Sequence, residues 1–155
     1  MSDADGGGDL GAESADAVRV GFVCVRNAGR SQMATAFAER ERERRGLEGR
    51  VEILTGGTHP AESVHEEVVT AMREVDVDLS GRTPRAVTTA ELESCDHVAT
   101  MGCSTLDLDA DASNVAVRDW ALDDPDGRPP EAVRAIRDEI RERVADLFDE
   151  LEGRS

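Results

Sequence analysis

The sequence places a cysteine, an arginine and several small residues in one short segment. Cys24 opens the run Cys-Val-Arg-Asn-Ala-Gly-Arg-Ser, which ends with Arg30 and Ser31. A guanidinium can hold two oxygens of a tetrahedral oxyanion, and a thiolate can attack the central atom of that oxyanion. The segment therefore predicts a nucleophilic cysteine in an oxyanion-binding loop.

The apolar pattern on either side indicates how this segment is held. Residues 18–25 form an almost continuous apolar run, typical of a central parallel strand, and a helical apolar pattern begins at Ser31. Between a strand and a helix start, unpaired backbone N–H groups and the positive end of the helix dipole bind anions. The predicted oxyanion-binding residues are Val25, Arg26, Asn27, Ala28, Gly29, Arg30 and Ser31.

Individual residues of this segment have expected roles. The backbone N–H groups and Arg30 should stabilise Cys24 as a thiolate. Asn27 and Gly29 are expected to adopt left-handed backbone angles, and Ser31 to cap the helix and donate its hydroxyl to the sulfur. The competing interpretation is a buried cysteine near two surface arginines, and the flanking strand and helix favour the loop.

The rest of the chain predicts an α/β domain. Further strands are expected at residues 51–54, 97–101 and 115–117, and helices at 64–75, 90–93 and from Pro129-Pro130 to Leu151. The alternation predicts a four-stranded parallel sheet flanked by helices, with ligands bound at the carboxyl edge of the strands. Residues 1–17 predict a disordered acidic leader, and residues 18–152 a single catalytic domain.

Charge and composition exclude several classes of partner. The net charge is -16, and all 18 basic residues are arginine, which indicates a halophilic source and makes nucleic acid an unsuitable ligand. No apolar run is long enough to cross a membrane, so we expect a cytoplasmic protein. His59, His65 and His97 lack the spacing of metal ligands, and we expect surface or capping roles and no metal.

The run VGFVCVRNAGRSQMA resembles the C-x-x-N-x-x-R-S loop of the low-molecular-weight protein tyrosine phosphatase superfamily, and more narrowly its arsenate reductase branch. Residues 57–60, 100–103 and 119–125 are similar to other segments of that branch. The resemblance implies a Rossmann-like three-layer fold with Cys24 as nucleophile and no bound cofactor. It implies an arsenate- or phosphate-type oxyanion as substrate, with thioredoxin, glutaredoxin or a low-molecular-weight thiol as reductant.

The same resemblance implies a proton donor. Asp123 and Asp124 precede Pro125, and the family's Asp-Pro pair makes Asp124 the residue that protonates the leaving group. The competing interpretation is a solvated acidic loop in front of a helix. The absence of tyrosine leaves no aromatic wall for phosphotyrosine, and Trp120 is expected either at the rim of the pocket or in the packing of the core.

The resemblance implies a second reactive thiol at Cys103, which would attack the arsenic adduct of Cys24. Residues 104–114 contain no third cysteine, so either an external thiol attacks the adduct or a redoxin reduces a Cys24–Cys103 disulfide. Cys103 as a small buried apolar residue is the competing interpretation, and Cys95 is expected to be structural. We expect an arsenate reductase; a phosphatase using the same cysteine and a non-catalytic oxyanion sensor are the alternatives.

Overall fold

The computed structural model describes residues 17–101 and 115–153. The predicted leader lies outside the described residues apart from Ala17, and so does Cys103. In chain order the elements are β1 (Val18–Cys24), α1 (Arg30–Arg44), β2 (Val51–Gly57), α2 (Glu66–Arg73), α3 (Thr89–Glu93), β3 (His97–Met101), β4 (Ala116–Asp119) and α4 (Pro130–Leu151).

The four strands form one sheet in the order β2-β1-β3-β4, and every neighbouring pair is parallel. This confirms the predicted four-stranded parallel sheet and the interior position of β1. Cys24 lies opposite Gly57 of β2 and Met101 of β3. The carboxyl ends of these three strands therefore lie at the same edge of the sheet as Cys24.

The two faces of the sheet are covered by separate apolar clusters. The larger cluster buries Phe22 and Cys24 of β1 against residues of α1 and α4. The smaller cluster buries Val23 of β1 with Leu92 and Cys95 on the opposite face. Because side chains alternate along a strand, β1 contributes to both clusters, which fixes its register.

The start of α4 and the end of α1 each have an identifiable physical cause. α4 starts at Pro130, whose missing N–H costs nothing in the first turn, and its stripe from Val133 to Phe148 is buried. At the end of α1, the Arg45 guanidinium bonds to Asp149 and Glu152 of the α4 end, at 2.9 Å from each. α1 and α4 are thereby fixed side by side on one face of the sheet.

The bounds of β2, α2 and β4 differ from the prediction. β2 continues through Gly57, because the Gly57 N–H bonds to the Arg85 carbonyl and a β-bridge joins Gly57 to Ala86. α2 starts at Glu66 with His65 as its N-cap residue, later than the apolar pattern suggested. β4 begins at Ala116 at the edge of the sheet, where it is mostly exposed. No helix of the described residues is long and apolar enough to cross a bilayer.

Candidate active site

Residues 24–31, the Cys24 loop, form a tight turn between β1 and α1. Asn27 has a φ of 53°, the left-handed angle expected for it, and its backbone N–H points at the Cys24 Sγ at 3.2 Å. Gly29 has a φ of -142°, so the expectation of a left-handed angle there was wrong. Its small size is still needed, because a Cβ at this position would lie 3.0 Å from the Cγ of Pro125.

The Cys24 sulfur is hydrogen-bonded to the Ser31 hydroxyl. The two side-chain heavy atoms lie 2.9 Å apart, and the Asn27 Nδ2 donates to the same Ser31 hydroxyl oxygen at 2.7 Å. Since that oxygen already accepts from Asn27, its own proton is available for the sulfur. The expected helix-capping role of Ser31 was wrong, because α1 begins at Arg30 and its N-cap residue, Gly29, makes no side-chain cap bond.

The Asn27 side chain connects the loop to its surroundings. Its Nδ2 also donates to the Thr55 Oγ1 at 3.0 Å, and its Oδ1 accepts from the Arg85 backbone N–H at 2.9 Å and the Gln32 amide at 3.1 Å. All four partners of this side chain come from within the fold, and Asn27 is fully buried. The loop is therefore held rigidly before any ligand binds, which is the condition for effective electrostatic stabilisation.

The segment after β2 supports the loop from outside. Backbone N–H groups of Thr58, His59, Ala61 and His65 donate to the carbonyls of residues 24, 25, 26 and 28 at 2.8–3.2 Å. At Gly57 the two backbone segments approach so closely that a Cβ would lie 2.5 Å from the Val25 carbonyl oxygen. With the loop carbonyls bonded on this side, loop N–H groups are available to a bound anion.

A cleft of about 420 Å³ opens over the loop. Arg30 and Asp124 face each other across it, with 3.8 Å between Nη2 and Oδ2, and Arg30 also donates to the Leu122 carbonyl at 3.0 Å. The Arg30 side chain is 11% exposed and that of Asp124 is 59% exposed. The cleft is lined by Cys24, Val25, Arg26, Gly29, Arg30, His65, Asp124 and Asp126.

The structure thus brings together Cys24, Arg30 and Asp124, whereas the neighbouring Asp123 is exposed and does not line the cleft. His65 also lines the cleft. It is the N-cap residue of α2, which agrees with the expected capping role, but no local sequence pattern marks a residue that a connecting loop brings into a cleft. Trp120 packs on Phe22 with ring centroids 5.9 Å apart and is buried. Its side chain belongs to the core and not to the rim of the cleft.

The sequence analysis also made predictions about Cys95, Cys103 and a metal site. Cys95 is buried just before β3, at the amino end of the sheet, and burial raises the pKa of its thiol to about 11. Met101 ends β3 opposite Cys24, and Cys103 follows two positions later in the sequence, outside the described residues. Within residues 17–101 and 115–153, no group of His, Cys, Asp or Glu could hold a metal ion.

Two curated relatives of the chain are named as arsenate reductases. A protein of Halobacterium salinarum, provisionally named an arsenate reductase, is 72% identical and covers 89% of this chain and 96% of its own length. The source of that relative agrees with the halophilic composition noted above. A glutaredoxin arsenate reductase of Synechocystis is 32% identical over 84% of this chain and 95% of its own.

A solved structure described as an arsenate reductase in the phosphate-binding state has the same fold. It is 30% identical, has a TM-score of 0.73, and the match covers 86% of this chain and 98% of that one. The family described as low molecular weight phosphotyrosine protein phosphatase matches residues 19–154. That match contains the sheet except for Val18, together with the Cys24 loop and the cleft above it, and the chain belongs to the low molecular weight phosphotyrosine protein phosphatase family.

Proposed function

We propose that this protein is a thiol-dependent arsenate reductase that works through Cys24. The observation that carries the proposal is the cleft itself, where a thiol bonded to Ser31 and to the Asn27 N–H lies beside Arg30 and Asp124. None of the described residues lining this cleft is Phe, Trp or Tyr, so it suits a small inorganic oxyanion better than a phosphotyrosyl side chain. The arsenate reductase names of the relatives support the same choice.

In the first step the Cys24 thiolate attacks the arsenic atom of arsenate. A sulfur–arsenic bond forms and one arsenic–oxygen bond breaks, with its electron pair remaining on the oxygen. That oxygen belongs to a hydroxyl group of arsenate, so the proton that it takes from Asp124 lets it leave as water. Arg30 and the N–H groups of the Cys24 loop hold the remaining oxygens as negative charge develops on them.

In the second step another thiolate attacks the Cys24 sulfur. A disulfide forms, and the sulfur–arsenic bond breaks with its electron pair remaining on arsenic, so that arsenate leaves as arsenite. The two thiols supply the two electrons as they become a disulfide. A glutaredoxin, a thioredoxin or a low-molecular-weight thiol is the proposed reductant, and the cytoplasm, where thiols stay reduced, is the proposed location.

Cys103 is the proposed internal source of the second thiol. Met101 ends β3 opposite Cys24 in the sheet, and Cys103 follows it by two positions in the sequence. Cys95 is not proposed for this role, because it lies before His97, at the amino end of the same strand.

The alternative function is phosphate ester hydrolysis, which the family membership of the chain favours. Cys24, Arg30 and Asp124 would suffice for it, because a phosphocysteine can be cleaved by water without a second thiol. The discriminating experiment measures arsenate reduction, with a redoxin or a small thiol as donor, and aryl phosphate hydrolysis on the same preparation. The same assays are applied to Cys103→Ser.

We expect the wild type to reduce arsenate and Cys103→Ser to lose most of that activity with a redoxin as donor. Hydrolysis of aryl phosphate by the same variant should stay within a few fold of wild type. Full arsenate reduction by Cys103→Ser with every donor would mean that the external thiol attacks Cys24 directly. A wild type that hydrolyses phosphate esters and never reduces arsenate would make the protein a phosphatase, and turnover of either substrate excludes the oxyanion sensor.

A further inference from the structure

The backbone of the segment that carries Asp124, residues 122–128, is hydrogen-bonded to two side chains outside it, and its Pro125 is buried close to Gly29. At its start the Arg30 Nη1 donates to the Leu122 carbonyl at 3.0 Å. Near its end the Gly127 backbone N–H donates to the Glu67 Oε2 at 2.7 Å. Asp124 lies between these two bonds, so each of them constrains where its carboxylate can be.

The Asp124 side chain contributes little to its own position. It is 59% exposed, and its distance of 3.8 Å from Arg30 is longer than a hydrogen bond. Its Oδ1 accepts from the Asp126 N–H at 3.0 Å, a bond within the segment that shapes the turn without anchoring it. Beyond Asp124, the burial of Pro125 near Gly29 and the hydrogen bond from Gly127 to Glu67 therefore connect this turn to the rest of the fold, and the hydrogen bond is the directional one.

The local geometry at both ends of this bond suits such an anchor. Gly127 has a φ of 74°, a left-handed angle that glycine adopts without strain and that turns its N–H toward α2. Glu67 lies in the first turn of α2, directly after Glu66, and it is partly buried. Hydrogen bonds from Gly127 and from its own backbone N–H lower the pKa of Glu67, while burial and the nearby charge of Asp124 act in the opposite direction.

We propose that Glu67 is a positioning residue that holds Asp124 over the Cys24 loop through the Gly127 N–H. The inference rests on the proposed function, because it assigns Glu67 to the proton-donation step. Glu67 does not line the cleft, so it acts through the backbone of the segment and not on the oxyanion. A misplacement of about 1 Å at a reacting group can cost about a hundredfold in rate, which gives a single anchor a measurable effect.

The test compares Glu67→Ala, Glu67→Gln and Glu66→Ala in the full chain. Glu67→Ala removes the acceptor, Glu67→Gln keeps an acceptor oxygen without the charge, and Glu66→Ala removes an equal charge from the same helix turn. Amide hydrogen exchange at Gly127, followed by NMR, reports the bond directly. We expect exchange at Gly127 to become about tenfold faster in Glu67→Ala and to stay near wild type in Glu66→Ala.

The kinetic test repeats Glu67→Ala in a background that lacks the proton donor. Alone it should lower the kcat for arsenate reduction about tenfold with KM within about twofold, and Glu67→Gln should recover most of the loss. In an Asp124→Asn background, Glu67→Ala should change kcat less than twofold, because a positioning residue has nothing left to position. A purely structural role would lower kcat equally in both backgrounds.

Two results would overturn the inference while leaving the proposed function intact. One is unchanged exchange at Gly127 in Glu67→Ala, and the other is a wild-type kcat in Glu67→Ala or an equal loss in both backgrounds. A wild type that reduces no arsenate would instead overturn the proposed function and with it the catalytic part of this inference. The Gly127 exchange would still decide separately whether Glu67 holds the segment.

Discussion

Opposite edges of the sheet hold the same three residue types in different settings. At the carboxyl edge Cys24 lies with Arg30 and Asp124, and at the amino edge Cys95 lies with Arg19 and Asp96. Both thiols are buried, with residues 24 and 95 exposed by only 2% and 4%. Residue type and burial therefore do not separate these two regions.

The surroundings of each group separate them. At the amino edge Arg19 is bonded to Glu52 at 2.8 Å and to Ser94, the Asp96 carboxylate accepts the Arg19 backbone N–H, and Cys95 is packed among apolar side chains. At the carboxyl edge the Asn27 backbone N–H points at the Cys24 sulfur at 3.2 Å, and the Ser31 hydroxyl oxygen lies 2.9 Å from it. Hydrogen-bond donors directed at the sulfur therefore distinguish the proposed nucleophile from Cys95, whereas a nearby arginine does not.

The largest difference between the two regions is expected when each cysteine is replaced in turn. Cys24→Ser should lower every turnover by about 10⁴-fold or more, because the nucleophile is lost, while oxyanion binding persists through Arg30 and the loop. Cys95→Ser should retain activity within about threefold. Steady-state kinetics and phosphate titration check both variants. Residual turnover of Cys24→Ser above about a tenth of wild type would contradict the proposed nucleophile.

A second test replaces the two neighbouring aspartates of the carboxyl edge, Asp124 and Asp123. Asp124→Asn removes the proton donor and keeps the shape of the side chain, so aryl phosphate cleavage or arsenate reduction should fall by about 10²–10⁴-fold. Asp123→Asn is the matched control, because this neighbour is exposed away from the cleft, and it should have a much smaller effect. If Asp123→Asn proved the more damaging, the proton donor would be assigned to the wrong acid.

The two arginines offer a third test. Arg30→Lys should lower kcat/KM by about 10²–10³-fold, because an ammonium cannot reproduce a planar pair of donors toward the oxyanion. Arg19→Lys at the amino edge should leave kcat/KM within about twofold, since Arg19 contacts only structural partners there. Equal losses in the two variants would mean that the effect is one of folding and not of oxyanion binding.

Alkylation of the intact protein should show the smallest but most direct difference. The pKa of Cys95 is raised to about 11, so its thiolate forms only at high pH, and its labelling by iodoacetamide at pH 8 should be slow. Cys24 should be labelled faster, and phosphate should slow that reaction because it occupies the cleft. Mass spectrometry of the labelled peptides measures both rates, and rapid labelling of Cys95 at pH 8 would contradict its structural role.

The sequence alone predicted the sheet and the Cys24 loop with Arg30, and the family resemblance added Asp124 as the proton donor. Apolar periodicity marks strands and helices locally, and the loop motif lies within eight consecutive residues, so neither needs knowledge of distant contacts. Asn27 was found in the same way, because a left-handed turn favours a small set of residue types.

The distant residues that contact the Cys24 loop or line the cleft could be identified only from the tertiary structure. Thr55 and Arg85 bond to the Asn27 side chain, His65 enters the cleft, and Glu67 meets Gly127 sixty positions away. The tertiary structure also removed the capping role expected of Ser31, whose expected contact with the sulfur is present, and it decided that Trp120 packs in the core and not at the rim. These contacts join segments far apart in the chain, and no local pattern specifies them because they arise only when strands and helices pack together.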